Sequence, residues 1–313
     1  MLPEAPGSVA AIDCGTNSTR LLIVGADGTV LERHMHITRL GEGVDATHKL
    51  SPRAISRTVG VLGDYRKLMD IHHVVRGRLV ATSATRDAIN AEDFFSAARR
   101  VIGLRPELLS GEEEGRLSFV GATACLPSEY REAGPLLVVD IGGGSTELVT
   151  GEAGAVGDDV VAISLDIGCV RVSERFFMHD PPLRKELANA RSFVDDALVS
   201  ARAGLLPLAP GGVVGLAGTV STLVALERRL DRYDRVAVHH AVLMRAQVEG
   251  WLSRLSAEDR TARKKRRGMV VGREDIIVGG VLILAAVMGV FDRSFCLASE
   301  NDILDGLAAS VNA

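Results

Sequence analysis

Apolar residues fall in two patterns along this chain. Short runs bounded by glycine and polar turn residues read as strands, and longer stretches with helical spacing separate them. Residues 9–13, 20–25 and 29–38 are three successive strands, with the turn signal Ala26-Asp27-Gly28 before the third. A helix opens at Ser51-Pro52, serine as cap and proline in the first turn, and runs to about residue 71. A strand at 78–81, a helix at 87–102 stopped by Gly103, a short strand at 104–109 and a helix at 111–125 follow. Residues 126–135, with two prolines and mixed charges, read as a hinge. The opening pattern then restarts, with strands at 136–140, 147–150 and 160–165. Helices at 168–177 and 181–205, a strand at 212–216, and helices at 218–230, 240–255, 273–290 and 301–310 complete the chain. Interleaved strands and helices predict an α/β protein of two lobes, 1–125 and 126–299, with mixed sheets flanked by helices.

The restart carries a loop with it. Ala11-Ile12-Asp13-Cys14-Gly15-Thr16-Asn17-Ser18-Thr19-Arg20-Leu21 matches Val138-Val139-Asp140-Ile141-Gly142-Gly143-Gly144-Ser145-Thr146-Glu147-Leu148 at an offset of 127 residues. Asp, Gly, Ser, Thr and Leu coincide, and apolar runs flank both copies. Strand, Asp-x-Gly-x-x-Ser-Thr loop, strand is a phosphate-hairpin pattern. Two copies imply two related lobes facing each other.

Composition narrows the function classes. The 313-residue chain is 47% hydrophobic with mean hydropathy +0.18, which supplies two cores and excludes a disordered chain. A net charge of −4 argues against a bulk-basic nucleic-acid binder, and 4% aromatic residues against base-stacking platforms. The cysteines at 14, 125, 169 and 296 lack metal-ligand or CxxC spacing and read as reduced cytosolic thiols. The opening MLPEAPGSVAAID lacks the basic and apolar regions of a signal peptide. The longest apolar stretch, 276–291, has 16 residues, contains three glycines and is bracketed by Asp275 and Asp292. A membrane span needs about 20 residues, so this stretch reads as a buried helix. A cytoplasmic protein with no nucleic-acid or membrane partner is the expectation.

The segment from Asp140 to Glu147 carries the most chemistry. Its glycines, Gly143 and Gly144 among them, let backbone N–H groups approach an anion as a nest suited to phosphate, and Ser145 and Thr146 add hydroxyl donors. Asp140, at a strand end, is placed to hold a divalent cation, with Glu147 as a second oxygen ligand, direct or through water. In the first copy, Asn17 and Ser18 take the equivalent loop positions. Gly218 and Thr219 follow a strand of small residues, and serve equally as an anion site at a helix start or as a capped connection. Ser110 and Glu113 have capping-box spacing. The neighbouring carboxylates are either first-turn complements to the helix dipole or include a general base. Arg86 is a phosphate clamp or a solvated residue at a helix start. His72-His73 and His239-His240 lack metal-binding companions and read as surface or packing residues. The basic run 263–267 is a solvated stretch or a local polyanion patch, with Arg267 as its substrate-binding member and Arg273 beside it.

Taken together, these segments resemble the exopolyphosphatase / guanosine pentaphosphate phosphatase (Ppx/GppA) family of the actin-like ATPase superfamily. The similarity runs through Asp13–Ser18, Ala81–Ala88, Ser110–Glu114, Asp140–Glu147, Leu165–Arg171 and Ala217–Thr219 in order. It implies two ribonuclease-H-like lobes around a cleft that holds the active site, and a last helix at about 300–313 packing back on the first lobe. It implies Glu114 as the catalytic glutamate, Asp140 and Glu147 serving Mg²⁺ (or Mn²⁺) and phosphate, and Arg86, Asn17 and Ser18 lining the cleft. It implies orthophosphate release from inorganic polyphosphate, with guanosine pentaphosphate as the alternative substrate, in a homodimer of the short two-lobe class. Sugar-kinase-like phosphotransfer leaves the Glu114 motif unexplained, and a non-catalytic nucleotide-binding scaffold leaves the intact carboxylates unexplained. Gly115 replaces the family's usual alanine, and Asp302-Ile303-Leu304-Asp305-Gly306 stands where a Gly-Leu-Arg-x-Gly segment is expected.

Overall fold

A computed structural model describes residues 7–205 and 212–312; the first six residues of the stretch read for a leader lie outside the described residues. The chain divides into two compact units, residues 1–110 with 303–313, and residues 111–302.

The first unit holds β1 (Val9–Cys14), β2 (Ser18–Val24), β3 (Val30–Ile37), α1 (Val44–Thr47), α2 (Pro52–Ile71), β4 (Arg76–Ala81), α3 (Ser83–Arg86), α4 (Ala91–Ile102) and β5 (Pro106–Leu108). Its sheet runs β3-β2-β1-β4-β5, antiparallel across the first three strands in sequence and parallel from β1 through β4 to β5. Side chains alternate across the pleat. Ala10, Ile12 and Cys14 meet Leu62, Tyr65 and Met69 of α2 and Phe94 and Ala98 of α4. Ser51 caps α2 by accepting from Ala54 N at 3.1 Å, and Gly103 ends α4 at φ 78.

The second unit opens with α5 (Gly111–Thr123), α6 (Ser128–Arg131), β6 (Leu136–Ile141), β7 (Thr146–Gly151) and β8 (Val161–Leu165). It continues with α7 (Cys169–Phe176), α8 (Arg184–Arg202), β9 (Gly212–Leu216), α9 (Ala217–Glu227), α10 (Arg235–Val238), β10 (Val242–Met244) and α11 (Arg245–Ser256). It closes with α12 (Arg260–Lys264), α13 (Ile277–Val290) and β11 (Phe295–Ala298). The sheet order is β10-β11-β9-β6-β7-β8. One face packs on α7, α8, α9, α11 and α13, through Val139, Leu148, Val220 and Leu282 among others. The other face, through Val138, Val149 and Val214, packs on Phe119 and Ala122 of α5. The last helix, α14 (Ile303–Asn312), lies against β1, β2 and β4 of the first unit.

Several expectations are corrected. The helix 111–125 belongs with the second unit, because its apolar side chains are buried on β6 and β7. Residues 126–135 are no hinge between units: Leu126 joins that same core and residues 128–131 form a helical turn. The expected helix 240–255 begins with a strand, β10, and β11 has no counterpart among the expected strands. Runs of three and four residues are too short to show a period of two. The helix expected at 273–290 starts at Ile277, and the strand at 104–109 shrinks to 106–108. No described helix is long and apolar enough to cross a membrane.

Candidate active site

Both units build the same hairpin. Gly15 N donates to Ser18 O at 3.0 Å, and Gly142 N donates to Ser145 O at 3.0 Å. The strand register then sets one pair of side chains face to face in each unit, Asp13 with Arg20 and Asp140 with Glu147. In the first unit that pair is an ion pair: Arg20 donates to Asp13 Oδ2 through Nε at 3.0 Å and Nη2 at 2.7 Å. In the second unit two carboxylates share the place, and each has a serine. Ser118 Oγ on α5 donates to Asp140 Oδ2 at 2.7 Å, and Ser164 Oγ on β8 donates to Glu147 Oε1 at 2.8 Å.

Glu147 is 1% exposed. Burial holds its carboxyl well above the usual carboxylate range, the charges of Glu114 and Asp140 push it further, and hydrogen bonds from Ser145 and Ser164 oppose them. Glu114, in the first turn of α5, therefore acts on the same group as Asp140. The helix is close: a Cβ at Gly115 would lie 3.4 Å from Glu147 Cβ. Three carboxylates from α5, β6 and β7 converge, and an opposite charge among them would relieve their repulsion. Among the described residues no trio of His, Cys, Asp or Glu is disposed to cage a metal ion by itself. Mg²⁺ needs no such cage; it takes one or two carboxylates and completes its shell with water and phosphate oxygens. The donor set fits that mode.

Gly143, Gly144 and Ser145 lie on the hairpin beside this group. Thr146 does not offer its hydroxyl to a ligand: it is fully buried and donates to Ile167 O at 2.5 Å. Gly218 and Thr219 are near neighbours by register, since Asp140 pairs with Leu216 on β9. Ala217 turns the chain there at φ 64, and Thr219 points its side chain at Gly280 inside the core. Thr219 thus contributes only backbone at the start of α9. Arg273, which is 9% exposed, lays its guanidinium against the Cα of Gly218, where any Cβ would collide with it. Its charge also acts on the Cys169 thiol, which burial pushes up to about 11.

Arg267 is not brought to this place. It is exposed and ion-paired with Asp231, and the next residue, Gly268, packs on Ala225 at the far end of α9 from Gly218. Seven residues of helix between Gly218 and Ala225 separate the two ends by about 10 Å. Two more members of the basic run are engaged in ion pairs: Arg263 pairs with Asp180 and Arg266 with Glu258. In the first unit, Asn17 is buried and its Nδ2 finds no acceptor among the described residues, while Ser18 is half-buried. Arg86 closes α3 and donates to Leu109 O at 3.0 Å. Sequence reasoning missed Ser118 and Ser164 as partners of the carboxylates. It placed Arg273 only near a basic surface. Charges directly before the apolar run 276–291 were the available signal for Arg273.

A family model described as the Ppx/GppA phosphatase family matches residues 23–310. The chain belongs to the Ppx/GppA phosphatase family. It is 41% identical to exopolyphosphatase 2 of Mycobacterium tuberculosis, over 97% of this chain and 98% of that protein. It superposes on the crystal structure of the Aquifex aeolicus Ppx/GppA family member with TM-score 0.80 and 34% identity, covering 98% of each chain. The fold is also that of an exopolyphosphatase from Cytophaga hutchinsonii, at TM-score 0.87 and 24% identity over 97% of each chain. Two departures from the Ppx/GppA pattern have local accounts. At Gly115 an added Cβ would meet Val149 Cγ2 at 2.9 Å, so a valine fills the space an alanine methyl would take. Leu304, at the place of the expected arginine, is buried with Ile303 and Leu307 in the first unit.

Proposed function

We propose that this chain is an exopolyphosphatase, a phosphoanhydride hydrolase that removes terminal orthophosphate from inorganic polyphosphate with Mg²⁺. The observation that carries the reading is the meeting of Glu114, Asp140 and Glu147 beside a glycine-rich hairpin, in a chain 41% identical to an exopolyphosphatase. Asp140 and Glu147 would hold the cation, with Ser118 and Ser164 fixing one oxygen of each. Bound there, Mg²⁺ supplies positive charge against the phosphate oxygens as charge develops on the transferred group.

Glu114 is the general base. It is half-buried in the first turn of α5, and its carboxylate accepts the proton of the attacking water. The N–H groups of Gly143, Gly144 and Ser145 receive the phosphoryl oxygens, and the buried charge of Arg273 beside the start of α9 favours the same anion. Phosphoryl transfer needs mainly positioning and electrostatics, which these residues provide without a covalent nucleophile.

The test is orthophosphate release, with Mg²⁺, from short polyphosphate, long polyphosphate and guanosine pentaphosphate side by side. Release from polyphosphate that vanishes in Glu114→Ala is the expected result. Release mainly from the nucleotide would move the substrate to guanosine pentaphosphate with the same residues. No release from any of the three would overturn the hydrolase reading.

A further inference from the structure

The glycine hairpin of the second unit is held from behind. The first turn of α7 donates to its carbonyls: Cys169 N to Gly142 O at 3.0 Å, and Val170 N and Arg171 N to Gly143 O at 2.8 and 3.1 Å. The Arg171 side chain continues the series, Nε donating to Gly144 O at 2.8 Å. Three consecutive carbonyls thus point at one short segment. In a planar trans peptide the C=O of one residue and the N–H of the next point in opposite directions. Fixing the carbonyls of residues 142, 143 and 144 therefore turns the N–H groups of Gly143, Gly144 and Ser145 the other way. Among the described residues none of these three N–H groups donates to a protein acceptor. Gly168 completes the clamp, since any Cβ there would collide with the backbone of Gly143 and Gly144.

The first unit repeats the device with different residues. The segment after its third strand donates to the hairpin carbonyls, Gly41 N to Thr16 O at 2.9 Å, and Thr38 N and Arg39 N to Asn17 O at 3.1 and 2.9 Å. Gly41 there lies so close to Thr16 that a Cβ would clash. Arg57 supports that segment, donating to Thr38 O and, at 3.0 Å, to Arg39 O. The same backbone wiring twice, from unrelated side chains, marks it as a requirement of the hairpin.

We infer that Arg171, with the first turn of α7 and Gly168, is the positioning element of the phosphate loop, binding the loop's carbonyls so that its amides face the anion. The inference rests on the proposed use of those amides. Arg171 touches no reacting atom. Its effect passes through the peptide planes of Gly143, Gly144 and Ser145.

The first measurement is a ¹H–¹⁵N titration of the wild-type protein with inorganic orthophosphate at fixed Mg²⁺. The amides of Gly143, Gly144 and Ser145 shift if the inference holds, and unmoved amides overturn it. The second compares Arg171→Met, which keeps the stem and removes the donors, with Arg171→Lys, which restores one. Orthophosphate affinity falls about tenfold in the first and returns to within about threefold of wild type in the second. KM for tripolyphosphate rises in parallel while the melting temperature stays close to that of wild type. Wild-type affinity in Arg171→Met would overturn the inference, and the wild-type titration decides it should that variant fold poorly. Loop amides that shift in a protein releasing no orthophosphate from polyphosphate would end the exopolyphosphatase reading and leave the positioning role standing.

Discussion

Positions 20 and 147 are equivalents in the two hairpins, and they carry opposite charges. Arg20 neutralises Asp13 where it stands, whereas Glu147 adds a second carboxylate to Asp140. The raised carboxyl of Glu147 means that the folded chain keeps a proton that the unfolded chain releases. Stability from this group is full below the ordinary glutamate value of 4.5 and is lost as pH rises through the raised one. Glu147→Gln has no charge to bury. In chelator it should melt above wild type at about pH 8, the gap closing toward about pH 5, and relief of about 1 kcal/mol would read as ~2–4 °C. Thermal melts at the two pH values check this, and a wild type as stable as the variant at the higher pH would sink it. Ser118→Ala removes the donor on Asp140. Partners of a metal-binding side chain change metal affinity about 10–100-fold, so half-maximal rate should need about ten times more Mg²⁺. A Mg²⁺ titration of orthophosphate release reads it, and an unchanged requirement would count against Asp140 as a ligand.

At the scale of elements, α14 and α13 both depend on burial. Ile303, Leu304 and Leu307 of α14 are all buried in the first unit, although they come from the end of the chain. At about 1.5–3 kcal/mol for each fully buried side chain, ending the chain at Asp302 removes on the order of 5–9 kcal/mol. That rivals the whole stability of a typical domain, about 5–15 kcal/mol. Limited proteolysis of the truncated chain should cut within residues 7–110 while 111–302 stays protected. Equal protection of both would contradict the packing of α14 on β1, β2 and β4. The α13 helix is buried on every side from Ile277 to Met288, and its glycines admit neighbours. Gly280 lies against Thr219, so Gly280→Val forces the start of α9 aside. Overpacking of this kind costs about 1–3 kcal/mol, to be measured by denaturant unfolding of the variant, together with a fall in orthophosphate release.

Across the whole molecule, positive charge is abundant, and much of the basic run 263–267 is committed. Three members of the basic run answer acids of the same unit: Arg263 with Asp180, Arg266 with Glu258, Arg267 with Asp231. Exposed ion pairs are worth about 0–1 kcal/mol, and a cation already paired adds little to long-range attraction. Arg267→Ala should therefore change KM for long polyphosphate by less than about twofold. Steady-state kinetics test it, and a tenfold rise would restore the run as a polyanion surface.

The repeated Asp-x-Gly-x-x-Ser-Thr segment was legible in the residues alone, and with it the duplicated architecture, the carboxylate pair and the family. Local chemistry suffices for these, because a hairpin loop and its flanking strands are close in sequence. Most strands and helices were legible for the same reason, each long enough to show its period or its caps. The strands β10 and β11 were not, since three or four residues carry no period and only pairing with β9 makes them strands. Tertiary structure alone brought α5 to the second sheet, and with it Ser118 and Glu114 to the carboxylates of β6 and β7. It likewise put Arg273 against Gly218, sent Arg267 to the other end of α9, and set Arg171 behind the glycine loop. Those residues stand 22 to 55 positions from the groups they meet, and nothing in local spacing specifies which face of a packed helix meets which strand. The sequence by itself determined where the two glycine-bearing hairpins stand, because each is local; packing decided which side chains surround them.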